Sequence, residues 1–250
     1  MTEDELTRLF HQAIEEPAYR PVFLEHLLKS RVYVLGHAGT ERRTGEVELD
    51  QDDRVWIKNW QRKDGQVAVP FFLSRASLEF AAPGEDEYMR IPATVFFHTT
   101  LGQMLVLEPN TGHTKEFTPG EVERLLDGGP GMKPRLNEDS VGVSLYLEPP
   151  DPYPHEMVRS LSLLLDDLAT VERAYVVRVV TAGEEGEPRL LIAVDCNHDR
   201  GRVIRYMGAV AQDTAPDGIE VELIFLDGEG ELSREIVAGF EPFFQRAPGA

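Results

Sequence analysis

Downstream of Thr2 the apolar residues Leu6, Leu9, Phe10, Ala13 and Ile14 recur at a spacing that places them on one face of a helix ending at Pro17. Thr2 and Glu5 supply the capping box that starts it. Val22, Leu24, Leu27 and Leu28 predict a second helix over 21–28, and the β-branched and aromatic run Val32-Tyr33-Val34-Leu35 predicts a strand. The polar stretch 36–53 reads as a loop or hairpin. Alternation then predicts strands over 55–61 and 67–73, joined at the turn dipeptide Asp64-Gly65. A short helix follows Ser74, and the apolar run 101–107 reads as a further strand. Thr118-Pro119-Gly120-Glu121 combines a cap, a first-turn proline and a capping glutamate for a helix carrying Val122, Leu125 and Leu126, with Gly128 as its terminator.

Beyond residue 140 the pattern is simpler. A strand over 141–147 precedes a helix beginning at Pro154, whose Met157, Val158, Leu161, Leu164, Leu165 and Leu168 share one face. Strands over 174–180 and 190–194 flank the polar turn 183–187. Val203, Met207, Val210 and Ala211 mark the next helix, and 219–226 the next strand. The order β-α-β-β-α-β predicts a ferredoxin-like antiparallel sandwich with both helices on one face of the sheet. A last short helix over 233–238 and the tail 241–246 fall outside that unit.

Gly128-Gly129-Pro130-Gly131-Met132-Lys133-Pro134 separates these halves, since helix breakers this dense stop any regular element. The fold class expected is α+β in two domains, 1–138 and 140–250, with a Gly/Pro-rich joint over 128–139. A length of 250 residues agrees with two cores.

Acidity is the dominant bulk property. With 44 acidic against 25 basic residues the net charge is −19, distributed as 24 against 16 in residues 1–139 and 20 against 9 in residues 140–250. A field of that sign repels phosphate backbones and anionic lipid surfaces, so neither nucleic acid nor membrane is an expected partner. A single cysteine forms no internal disulfide, and the N-terminus has no signal-peptide pattern, so a soluble cytoplasmic protein is expected.

Three places invite a chemical reading. Cys196 and His198 lie two apart at a strand end and would serve a thiol-dependent hydrolase or transferase; the competing reading makes Cys196 a small core residue on the face of Ile192 and Val194. The glycines of 128–131 invite a phosphate-loop reading, which fails because they follow a helix and lack the Walker spacing. Trp56, Lys58, Trp60 and Arg62 alternate with Val55 and Ile57, so two indoles and two cations share one side of a strand. That face would seat a partner, unless the Lys and Arg stems lie over the indoles and close it. The histidines are dispersed, and neither a metal site, a cofactor site nor a catalytic residue is expected.

Several short motifs resemble the SseB family, named for enhanced serine sensitivity. In the first half these are Pro21-Val22-Phe23 with Leu27-Leu28, Val69-Pro70-Phe71-Phe72-Leu73-Ser74, Leu105-Val106-Leu107-Glu108-Pro109-Asn110 and residues 121–128. In the second they are Pro152-Tyr153-Pro154, Ala174-Tyr175-Val176-Val177, Pro188-Arg189 and Pro242-Phe243-Phe244-Gln245-Arg246. Glu108-Pro109-Asn110 departs from the Asn-Pro turn expected of the family. The resemblance implies a cytoplasmic bacterial protein without an established activity and supplies no catalytic residues. The function expected is non-enzymatic binding, as an adaptor or regulator of a protein partner, with an amino-acid sensor and the Cys196/His198 enzyme as alternatives; self-association stays open.

Overall fold

A computed structural model describes residues 1–47, 49, 54–61, 65–127, 145–181, 189–228 and 230–247. Its chain forms two compact units, Met1–Gly129 and Pro130–Ala250. The proposed joint and phosphate-loop segment lie outside the described residues, apart from the stretch before Gly128.

The first unit begins with α1 (Glu3–Glu15), opened by the capping box between Thr2 and Glu5. A 3-10 turn over Pro17–Tyr19 leads into α2 (Arg20–Leu28). The sheet is built from β1 (Arg31–Ala38), β2 (Gly45–Glu46), β3 (Val55–Ile57), β4 (Trp60–Gln61) and β5 (Val67–Phe72). After α3 (Arg75–Ala81), capped by Ser74, come β6 (Tyr88–Pro92), α4 (Ala93–Thr99), β7 (Leu105–Leu107), β8 (Lys115–Phe117) and α5 (Pro119–Leu126), the last started by the box between Thr118 and Glu121. The sheet runs in the order β2-β6-β1-β5-β7-β8 and is mixed: β2 lies parallel to β6 and β5 to β7, while β1 is antiparallel to both β5 and β6.

Pleating gives this sheet two unequal faces. Val32, Val34, Val69, Phe71, Met89 and Ile91 belong to the main core, filled from the helices by Leu6, Phe10, Phe23, Leu27, Phe96, Phe97 and Val122. On the opposite face Tyr33, Leu35 and Phe72 make a smaller cluster with Leu78 of the seven-residue helix α3.

The single strand expected over 55–61 is two strands. β6 holds one edge of β1, and β5 meets the other edge only at Tyr33–Phe72 and Val34–Phe71. From Leu35 onward that edge belongs to the segment around β3: the Lys58 N–H donates to the Leu35 carbonyl at 2.9 Å, and Gly36, His37 and Ala38 pair with Ile57, Trp56 and Val55. The chain then leaves β1, and β4 pairs Trp60 and Gln61 with Ala68 and Val67 of β5. This partner switch breaks the strand at Lys58-Asn59. The loop expected over 36–53 is likewise shortened, because β1 continues to Ala38 and β2 pairs with β6. The strand expected over 101–107 keeps only its last three residues, as Gly102, at φ +80°, and the Gln103 N–H bond to Thr100 form a turn.

In the second unit β9 (Leu145–Glu148), α6 (His155–Asp167), β10 (Val171–Thr181), β11 (Arg189–Cys196), α7 (Arg200–Thr214) and β12 (Glu220–Phe225) follow in the expected order. Residues 141–144 and the turn 183–187 lie outside the described residues. Helix α8 (Glu231–Gly239) and β13 (Phe244–Gln245) complete the unit.

Strand order differs from the ferredoxin-like expectation. The sheet runs β12-β11-β10, with β9 and β13 both on the far edge of β10, and β11 and β12 are parallel neighbours, so it is mixed rather than antiparallel. The cause is the crossover: α7 returns the chain beside the strand it left, and strands joined this way are parallel. Helices α6 and α7 pack against each other and so lie on the same side of the sheet. The other side is closed by α8, whose Ile236 packs with Tyr175, Val177, Leu191, Ala193 and Leu226. The tail is therefore part of the unit. Arg246 donates to the carbonyls of Val171, Leu165 and Leu168 at 3.0, 2.7 and 3.0 Å, tying the tail to the end of α6 and the start of β10.

Candidate functional site

Trp56 sits in β3, directly opposite His37 on β1, and the two rings stack with centroids 5.2 Å apart and planes 18° from parallel. Residues 33, 35 and 37 of β1 share a face by pleating, so this stack lies on the α3 side of the sheet while Val55 and Ile57 pack on the main core. Trp56 remains 42% exposed. The arrangement depends on Gly36, whose φ is +138° and whose missing side chain gives way to the backbone of Trp56.

Lys58 points to the same face. Its Nζ lies 2.8 Å from Glu85 Oε1 and 3.3 Å from Glu87 Oε2, and Glu87 is also bound by the guanidinium of Arg42. The hydrogen bond that Lys58 donates to Glu85 raises the ammonium above its ordinary pKa; burial opposes this, and the bond to Glu87 adds to it. The bond from Arg42 leads the causes that hold Glu87 below the carboxylate norm.

Trp60 is half-buried. Its ring meets Phe72 edge-on at 6.1 Å and packs on the small cluster of Tyr33, Leu35, Phe72 and Leu78. Arg62 lies outside the described residues. The structure thus keeps Trp56 and Lys58 together, assigns Trp60 mainly to packing, and adds His37, Glu85, Glu87 and Arg42. The pairing of His37 with Trp56 spans nineteen residues of sequence, beyond the reach of periodicity; the acidic run Glu85-Asp86-Glu87 was the one local signal.

Two arginines complete this face. Arg90 of β6 lies over the Tyr33 ring at 5.7 Å and pairs with Glu3 and Glu46, while Arg75 lies over Tyr88 at 5.2 Å and pairs with Glu79.

Cys196 is 5% exposed at the end of β11. Its Sγ donates to the main-chain carbonyl of His198 at 3.0 Å, with Thr170 Oγ1 at 3.9 Å, and the His198 side chain is exposed. The bond joining the two residues of the thiol reading therefore runs to the backbone. Among the described residues there is no group of three or more His, Cys, Asp or Glu placed to hold a metal ion.

The buried carboxylate Glu108 has no counterpart among the sequence-derived candidates. It is 2% exposed, and its Oε1 accepts the Leu73 N–H at 2.7 Å. Burial raises its pKa, with the bonds from Leu73 and Ser77 acting in the opposite sense. Its backbone is left-handed at φ +51°, a conformation that suits asparagine better than glutamate. The Glu108 carbonyl accepts from Thr111 and Thr114 at 2.8 and 3.0 Å, which folds the following loop and brings His113 against His11 of α1, with ring centroids 4.3 Å apart.

No helix among the described residues is long and apolar enough to cross a membrane. The family model for the SseB protein N-terminal domain matches residues 6–124, and that for the SseB protein C-terminal domain matches residues 140–246. Protein SseB of Escherichia coli (strain K12) and Protein SseB of Shigella flexneri are each 32% identical over 251 residues, spanning 99% of this chain and 94% of the relative. No solved structure matches. Both halves of the chain thus match in the family's order, and the chain belongs to the SseB family.

Proposed function

We propose that this chain acts by binding a protein partner, as a cytoplasmic adaptor or regulator, and that the surface around Trp56 is its contact site. The observation that carries the reading is an indole 42% exposed, stacked on His37 and carried on a strand whose approach needs a glycine. Large aromatic side chains are costly to leave in water, and rigid ones dominate binding energy where they become buried. The thiol enzyme is not carried forward, because Cys196 is buried and its hydrogen goes to a main-chain carbonyl. Nothing among the described residues favours the amino-acid sensor.

The joint between the two domains is proposed at residues 128–139 on its run of glycine and proline. The binding role is tested by cross-linking the full chain and its Trp56→Ala variant in native cytoplasm, followed by mass spectrometry, with circular dichroism as the fold control. The variant should lose partners that the parent retains. Retention of every partner by a folded variant removes this surface from consideration.

A further inference from the structure

Three aromatic rings on the α3 face of the first unit are set to receive a cation, and two of them already hold one. Tyr33 carries Arg90 and Tyr88 carries Arg75, each arginine also paired to a carboxylate. Trp56 lies on the same face. Its indole is a better cation acceptor than a phenol, yet no cation of the described residues lies over it. His37 stacks on one face of the ring, and the residue stays 42% exposed.

The charges around it lean the same way. Lys58, on the face of Trp56, is bound to Glu85 and Glu87, Arg42 is bound to Glu87, and the exposed Asp86 between those glutamates adds a third carboxylate, while the exposed Arg54 two residues before Trp56 is a further cation. An anionic ligand would meet the negative face of the indole, Lys58 and Arg42 already paired to carboxylates, and the field of a chain at −19. A guanidinium meets the reverse of each: a ring to stack on, carboxylates alongside, and long-range attraction. Resting on the reading of Trp56 as a contact site, we infer that the partner presents a basic segment with an arginine that stacks on Trp56, its flanking cations facing Glu85, Asp86 and Glu87. The site completes the pattern that Arg90–Tyr33 and Arg75–Tyr88 set within the chain.

The test titrates the full chain with a short fluorescent peptide of alternating Gly and Arg, and with its Gly and Gln counterpart, near physiological salt, where screening confines charge effects to about 8 Å. Trp56→Ala leaves the net charge unchanged, so it separates stacking from bulk attraction. The Arg peptide should bind the parent chain, and Trp56→Ala should weaken it by about 5- to 30-fold. Trp56→Phe, which keeps a ring, should fall between the two and serves should the alanine variant unfold. Equal affinity in parent and variants overturns the inference, as does equal binding of the Gln peptide. Dissociation of a self-associated parent by Trp56→Ala, seen in sedimentation, overturns it too, because the occupant is then a second copy. If Trp56→Ala keeps its cytoplasmic partners, the contact site itself is wrong; if those partners are lost while Arg and Gln peptides bind alike, only the arginine assignment falls.

Discussion

The carbonyl oxygen of Trp56 stands 1.9 Å from the point where a side chain on Gly36 would place its Cβ. Space and dihedral agree at this position, since the Gly36 φ of +138° is one that side-chain-bearing residues rarely adopt. Gly36 also donates its N–H to the carbonyl of Glu87, just before β6, at 2.8 Å, so the same residue links the strand bearing Trp56 to the acidic run beside it.

Gly36→Ala should therefore separate β3 from β1. The cost is expected to exceed about 2 kcal/mol, the size of one strained backbone plus a lost close approach. Urea unfolding followed by circular dichroism measures it, and Trp56→Ala serves as the comparison, expected to cost less because that residue is 42% exposed and its removal leaves the backbone pairing of β3 with β1 in place. Equal stability of Gly36→Ala and the parent would mean that β3 does not approach β1 this closely.

Glu108 makes stability depend on pH in the direction opposite to most carboxylates. Its pKa is raised above the ordinary 4.5 by burial, so the folded state holds its proton where the unfolded state has released it. Stability due to this group is greatest below 4.5 and declines as pH rises through its folded value. Glu108→Gln keeps an oxygen for the Leu73 N–H and removes the charge. The variant should be the more stable protein at neutral pH, and the two should converge in acid. Chemical denaturation across pH 4 to 8 reads this out, and a variant less stable at neutrality would show that the ionised carboxylate is favourable where it sits.

Cys196 should react slowly. The thiol is buried and donates to the His198 carbonyl, so attack by a reagent needs local opening of the strand end. Labelling of the native protein by a chromogenic disulfide is expected to be at least ~100-fold slower than in denaturing urea. Rates within a few-fold of each other would restore the thiol as a site of chemistry.

Helix starts were the most legible part of the sequence, because a cap and its partner three residues on are local. Thr2 with Glu5, Thr118 with Glu121, and Ser74 each open the helix that their side chains suggested. Period-two alternation also placed Trp56 and Lys58 on one face. What alternation cannot carry is the identity of a strand's neighbour. The break at Lys58-Asn59 exists because β1 and β5 diverge, and the parallel β11–β12 pair exists because α7 returns the chain to an adjacent position. The segment 88–99 was missed for a related reason: Met89 and Ile91 alternate for only two steps, and α4 is rich in β-branched and aromatic residues, held helical by burying Phe96 and Phe97. Glu108 looked like an ordinary loop glutamate, since the N–H that accepts its burial belongs to Leu73, thirty-five residues away.

The stacked pair His11 and His113 gives the last prediction. Desolvation, followed by the charge of His113, lowers the His11 pKa from 6.5, while Glu15 on the same helix acts in the opposite sense without reversing the shift. The folded state therefore takes up its proton later than the unfolded state as pH falls. Stability is complete above 6.5 and is lost as pH drops from there through the lowered folded value. His113→Gln removes the facing imidazole and its charge, so the variant should lose less stability than the parent between pH 7 and 5. Its slope over that range should lie between those of the parent and of a His11→Gln variant, because desolvation, the larger cause, remains, and the double variant should add little to His11→Gln, because His113 acts through the titration of His11. The pair lies on the loop that Glu108 anchors through Thr111 and Thr114. Glu108 loses stability toward neutral pH and His11 loses it toward acid, so Glu108→Gln should move the pH of maximum stability upward and His113→Gln should move it downward. Parallel pH profiles for the parent and His113→Gln would show that the stack does not contribute to folding through its charge.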